Sequence, residues 1–254
     1  MRYLAVLMLA LPIPMQAATP TLLFDSTPID RAVFPVLEKY LRSSDFISDR
    51  DIQAAPNLSQ KIDSSHQFDL VKTLYGIELE AARPCSKKSP QALWFQPLAG
   101  GHEIESIATA LRAIHVGGCS HAGIIPSAQF WGYTELCNYN LAKSPYQQVD
   151  WTQVDRVIIQ GEGWLYPACR TGIADYQRLL TEITTHLRAR NPKIVVYGHA
   201  SLRYSPPSRI IQGIQSLTEL VDGFLLSYPL YGDHVYCTAD NLEAVLKAFR
   251  SPAP

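Results

Sequence analysis

From Gln91 onward, short apolar runs alternate with stretches whose apolar positions recur every three or four residues. The runs read as buried strands: Ala92 to Phe95, Gly123 to Ile125, Arg156 to Ile159, Lys193 to Tyr197 and Gly223 to Leu226. Between and after them lie helical stripes. Ile104, Ile107, Leu111 and Ile114 form one, and Ile173, Tyr176, Leu180, Ile183 and Leu187 a second. Ile210, Ile214 and Leu217 line a third, and Leu242, Val245, Leu246 and Phe249 a fourth. Ser205 before Pro206 suits a cap followed by a proline in the first turn, and Asn191-Pro192 stops the preceding helix. Strand starts about 30 to 37 residues apart match one right-handed β-helix-β unit. The pattern predicts a parallel α/β protein.

Upstream, Thr21 to Phe24 predicts a first strand ending at Asp25, and Val33, Leu37, Tyr40 and Leu41 the helix after it. Ser43 to Gln67 reads as a long polar loop, and Phe68, Leu70, Val71, Leu74 and Ile77 as another helix. Six strands result, where a full (β/α) barrel takes about 250 residues and eight strands. The expected fold is a TIM-like (β/α) barrel, short or irregular, with an open doubly wound sheet as the alternative. The missing nucleotide-binding signals of open sheets favour the barrel.

The first residues bear on location. Met1-Arg2 begin a short positive start, Tyr3 to Leu11 are apolar but too few to span a bilayer, and Pro12 and Pro14 lead to Ala17-Ala18. This is the layout of a secretory signal peptide over residues 1–18. It leaves a single barrel-like domain over 19–254, a secreted or periplasmic address and no membrane association after cleavage. The 22 basic and 23 acidic residues give a net charge of -1, with no Lys/Arg cluster, which argues against a nucleic-acid partner. A monomer is expected. Export makes disulfides possible among Cys85, Cys119, Cys137, Cys169 and Cys237, with bridges expected near Cys137, Cys169 and Cys237.

Several motifs fail for stated reasons. There is no phosphate loop of the Gly-x-x-x-x-Gly-Lys type. Gly161-Glu162-Gly163 lacks a third glycine, and Glu162 would repel a pyrophosphate. Gly118-Cys119-Ser120-His121 precedes a strand, where a nucleophile elbow must follow one. His102-Glu103 has no second zinc-ligating His at helical spacing. No cofactor or metal is expected.

Ligands of parallel α/β folds meet the carboxyl ends of the strands. The residues there are Asp25, Gln96, Gln129, Gln160 with Glu162, His199 with Ser201 and Arg203, and Ser227 with Tyr228. Trp131 and Trp164 lie in the loops beyond. Amides and hydroxyls read sugar hydroxyls while aromatic faces pack on pyranose rings, so the rim suits a neutral carbohydrate. Glu162, bracketed by glycines and followed by Trp164 two residues on, is the candidate general acid. Asp25 is the second carboxylate that glycoside hydrolysis requires, with Asp233 and Glu135 in reserve. His199 is placed to orient or protonate a carboxylate. Gln96, Gln129, Gln160, Trp131, Trp164, Arg203 and Tyr228 complete the expected substrate-binding set.

The stretch Arg156 to Tyr228 carries Ile-Gln-Gly-Glu, Arg-Ala-Arg-Asn-Pro-Lys-Ile-Val-Val-Tyr and Val-Asp-Gly-Phe-Leu-Leu-Ser-Tyr-Pro. In layout it resembles the late half of glycoside-hydrolase-like barrel proteins exported by bacteria. The clustered Asp residues leading to a Glu that mark chitinase-type barrels are absent. The resemblance implies an exported sugar-cleaving hydrolase, the alternative being a non-catalytic carbohydrate-binding or envelope protein on the same scaffold.

Overall fold

A computed structural model of the chain describes residues 21–25, 34–40, 46–48, 69–75, 92–96, 103–116, 121–128, 130–135, 138–161, 169, 172–227 and 235–250. The expected leader over residues 1–18 lies outside them. Ten strands occur among the described residues: β1 (Thr21–Asp25), β2 (Phe46–Ser48), β3 (Asp69–Tyr75), β4 (Ala92–Gln96), β5 (His121–Ile124), β6 (Tyr133–Glu135), β7 (Asn138–Tyr139), β8 (Arg156–Ile158), β9 (Val195–Ser201) and β10 (Gly223–Ser227). All but β6 and β7 run parallel and close into a barrel in the ring order β1-β10-β9-β8-β5-β4-β3-β2. The ring shuts because β1 pairs with β10 on one side and β2 on the other. The closed ring replaces the alternative of an open doubly wound sheet.

Two expectations upstream are corrected. The segment 69–75 is strand β3, paired with β2 and β4, where the apolar spacing suggests a helix. Within this short segment Leu70, Val71 and Leu74, set among Asp69, Lys72 and Thr73, fit helical spacing as well as a strand, and seven residues are too few to separate the two periods. Val71 and Thr73 are β-branched and Tyr75 aromatic, the composition strands prefer. The polar stretch read as one long loop contains β2, only three residues long.

Helices α1 (Phe34–Tyr40), α2 (Glu103–Val116), α3 (Gly172–Arg190), α4 (Pro207–Leu217) and α5 (Ala239–Phe249) alternate with the strands. Helix α3 buries Tyr176, Leu179, Leu180, Ile183, Thr184 and Leu187, a stripe at helical spacing. It stops at Asn191, whose side-chain amide donates to the carbonyls of Trp151 and Val154, and Pro192 forbids a further turn. At α4 the capping position is Pro206, not Ser205, and no side chain caps the helix. Helix α5 is capped by Thr238, whose hydroxyl accepts from the Asn241 amide at 3.2 Å.

The strand period of two sorts the core into an outer and an inner layer. On β9, Val196 and Ala200 belong to the large apolar layer that includes the helix stripes. Tyr197, pointing the other way, joins Ile125, Ile158 and Leu225 in a separate inner cluster. At the amino-terminal ends, Asp155 Oδ2 accepts from the Ala122 amide and Asp222 Oδ2 from the Val196 amide, both at 2.7 Å. Asp222 therefore serves the rim opposite the carboxyl ends. Between β5 and β8 the chain inserts the β6–β7 hairpin and three 3-10 turns, Leu141–Lys143, Pro145–Gln148 and Trp151–Gln153. The aromatic residues of this insert join the large outer apolar layer. Trp131 stacks on Trp151 with ring centroids 6.0 Å apart, Phe130 meets Trp131 edge-on at 4.9 Å, and the Trp151 indole donates to the Tyr146 carbonyl at 2.7 Å.

Candidate functional site

The parallel register decides which residues gather at the carboxyl end. Ser227 of β10 lies level with Asp25 of β1 on one side and Ser201 of β9 on the other. His199 is two residues beyond Tyr197 on β9 and so faces the barrel interior with it. Its Nε2 is hydrogen-bonded to Ser227 Oγ at 2.7 Å. His199 and Ser201 are buried, whereas Ser227 and Gln160 are half-buried and close the layer toward the mouth. The inner barrel is thus apolar at Ile158, Tyr197 and Leu225 and turns polar one layer higher.

The backbone beneath this layer is held from outside the barrel. The His199 amide donates to the Tyr176 hydroxyl at 2.7 Å, and that hydroxyl donates to the Ile159 carbonyl at 2.5 Å. Complete burial raises the Tyr176 phenol far above its ordinary range, outweighing the opposing amide bond from His199, so the group stays neutral at any working pH. The Ser201 hydroxyl accepts from the Arg203 amide at 3.2 Å, and the Ser227 carbonyl accepts from the Leu202 amide at 3.2 Å. These bonds fix the turn that leaves β9.

Of the residues singled out from sequence, the structure brings His199 and Gln160 to the mouth by side chain, and Asp25 and Gln96 to strand ends by backbone. His199 lies inside β9, where the apolar run predicts it beyond the strand end. Arg203 is exposed, its guanidinium 4.9 Å from the centroid of the Tyr204 ring. Trp131 is 1% exposed and packed in the outer apolar layer, which corrects the expectation of a solvent-facing platform. Its partner Trp151 stands twenty positions on, where no local pattern announces the stack. Glu162, Gln129, Trp164, Tyr228 and Asp233 lie outside the described residues; Gly161, directly before Glu162, is buried. Glu135 falls on β6, in the hairpin. Tyr176 carries a role that the helical stripe hides, since its ring belongs to the core and only the hydroxyl reaches the strands. The signal for it was the tyrosine itself, whose buried tip needs a partner.

Cys237 is a free, half-buried thiol, pushed up to about 11 by burial against the opposing charge of Arg203, so the bridge expected there is corrected. Cys169 is buried and disulfide-bonded. Among the described residues no group of three His, Cys, Asp or Glu side chains could hold a metal ion, and no helix is long and apolar enough to cross a membrane.

These features define the class: a (β/α) barrel with a polar layer at the carboxyl ends of its strands. The chain matches no family model and no curated protein. Solved structures do match over most of its length. A xylanase-A-amylase inhibitor protein is 10% identical, with a TM-score of 0.52 over 91% of this chain and 99% of that one. Pyruvate carboxylase from Rhizobium etli is 12% identical, with a TM-score of 0.50 over 92% of this chain. The chain spans only 29% of that enzyme. At such identities the likeness speaks for the barrel alone.

Proposed function

We propose that the protein is an exported barrel that binds a neutral carbohydrate at the carboxyl end of its strands. The observation that carries this reading is the His199–Ser227 hydrogen bond, which sets an imidazole and a hydroxyl on the inner wall just above the apolar layer. Gln160 beside them adds an amide, and imidazole, hydroxyl and amide together offer the donors and acceptors that read sugar hydroxyls. The sequence features of a leader, and a disulfide-bonded Cys169, support export. The match to the inhibitor protein, which covers 99% of that chain, supports the fold and no more.

The test is calorimetry with soluble cello-, xylo-, manno- and malto-hexaose. Binding of at least one is expected, with Kd raised about ten-fold in Ser227→Ala and in His199→Gln. Wild-type protein that binds none of the four would overturn the reading.

A second reading, glycoside hydrolysis, is favoured by one specific observation. Asp25 ends β1 level with Ser227, which keeps a carboxylate-bearing residue at the rim. In that reading Glu162 is the acid and Asp25 the base or nucleophile. Reducing-sugar release lost in both Glu162→Gln and Asp25→Asn, with binding kept, supports it. Turnover unchanged in either variant removes that residue from the mechanism.

A further inference from the structure

The β8–β9 ladder is interrupted at the mouth, and the interruption is chemical. Two of its rungs are ordinary: Val195 N–H donates to the Asp155 carbonyl and Ile159 N–H to the Tyr197 carbonyl, each at 2.9 Å. Continuing that pattern, the next rung would join the His199 amide to the Ile159 carbonyl. Both groups are present, but the Tyr176 hydroxyl of α3 stands between them, accepting from one and donating to the other. Replacing one N–H···O contact by two consecutive hydrogen bonds spreads the strands by roughly 1–2 Å at that level. Every backbone group stays satisfied, so the opening carries no penalty from an unpaired buried donor or acceptor.

The neighbouring Gly198 answers to Phe224, whose Cε1 would lie 2.8 Å from a Cβ there, while the Tyr176 hydroxyl at 3.5 Å would remain in ordinary contact. The phenol is wholly buried, so water cannot compete for its two bonds. The spread falls beside Gln160 on one strand end and at His199 on the other.

We infer that Tyr176 is the positioning residue of the mouth: its inserted hydroxyl parts β8 from β9 and sets the spacing between Gln160 and His199 that admits a sugar ring, an assignment that rests on the carbohydrate reading above. Tyr176 touches no ligand itself. It acts through the backbone of Ile159 and His199.

The test compares wild type, Tyr176→Phe and a variant with 4-aminophenylalanine at position 176, whose amine again can donate and accept. Cellohexaose and xylohexaose are the probes, and the backbone amide signal of His199 is followed by NMR. Phe is expected to keep the far-UV spectrum, move the His199 amide resonance as the direct rung forms, and raise Kd about ten-fold or more. The amine should restore Kd to within about three-fold of wild type, a rescue that loss of packing would not give. A folded Phe variant that binds with wild-type Kd, or an amine variant that fails to restore binding, overturns the assignment. Should the Phe variant not fold, the amine variant decides alone: near-wild-type Kd supports the role, and lost binding in a folded protein overturns it. Wild-type protein binding neither hexaose would sink the carbohydrate reading and the positioning role with it. A His199 amide that still moves in Tyr176→Phe would then show the inserted hydroxyl to be a device of the fold alone.

Discussion

Gly198 of β9 and Phe224 of β10 face each other so closely that a methyl group on the glycine would lie 2.8 Å from one ring carbon and 3.0 Å from the next. Phe224 is 1% exposed and packed in the outer layer, so its ring has little room to yield. Glycine is thus required here by contact between neighbouring strands, beside the hydroxyl that parts β8 from β9.

Gly198→Ala is therefore expected to destabilise the barrel, although Ala in a strand interior is ordinarily the better residue. Overpacking of this kind costs about 1–3 kcal/mol. Urea unfolding should show a lower midpoint at unchanged slope. A midpoint equal to wild type would mean that the Phe224 ring moves aside freely.

Trp131→Ala should cost roughly 3–5 kcal/mol, the range for emptying a large aromatic site in a core. The stacking on Trp151 and the edge contact from Phe130 are lost together. Unfolding followed by circular dichroism checks it. A loss below about 1 kcal/mol would mean that the ring is on the surface after all.

Stability should fall in mild acid partly through His186. Burial first, and the charge of Arg190 second, hold its pKa below the ordinary 6.5. Arg190 Nη1 lies 2.9 Å from its Nδ1, and the Tyr146 ring packs against it edge-on at 4.7 Å. A depressed histidine takes up its proton more readily when unfolded. Its contribution is therefore present above 6.5 and is lost as pH falls from there through the folded value. Unfolding free energies measured from about pH 7.5 down to about pH 5 should decline less steeply in His186→Gln than in wild type. Parallel profiles would exclude His186 as a source of the acid sensitivity.

Much of the later half of the barrel can be read from residue order because its strands and helices alternate at regular spacing. The punctuation at Asn191-Pro192 also holds, since a proline stops a helix wherever it falls. The early half is harder. In β3 the apolar positions Leu70, Val71 and Leu74 of a mixed seven-residue strand imitate the spacing of a helix, and in β2 three residues are too few for any period to show. The end of β9 is lost for a different reason: Gly198-His199-Ala200-Ser201 has the composition of a loop, yet it is buried strand. Near the mouth the inner wall turns from apolar to small and polar, so hydrophobicity stops marking where the strand continues. Strand-end placement does point to His199, but its partnership with Ser227 depends on register, which residue order does not disclose. The ladder bond through Tyr176 is further still from view, because it joins three elements through a single oxygen atom.

The central claim, that the mouth around His199 receives a carbohydrate, is tested most directly by following the seven histidine ring signals in a carbon–proton NMR titration with xylohexaose and cellohexaose. The His199 signal, assigned by its disappearance in His199→Gln, should move with added sugar. His115, exposed on α2, and His186, on α3 against Tyr146, should stay still. Movement confined to those two, or none at any histidine up to millimolar sugar, would contradict the account.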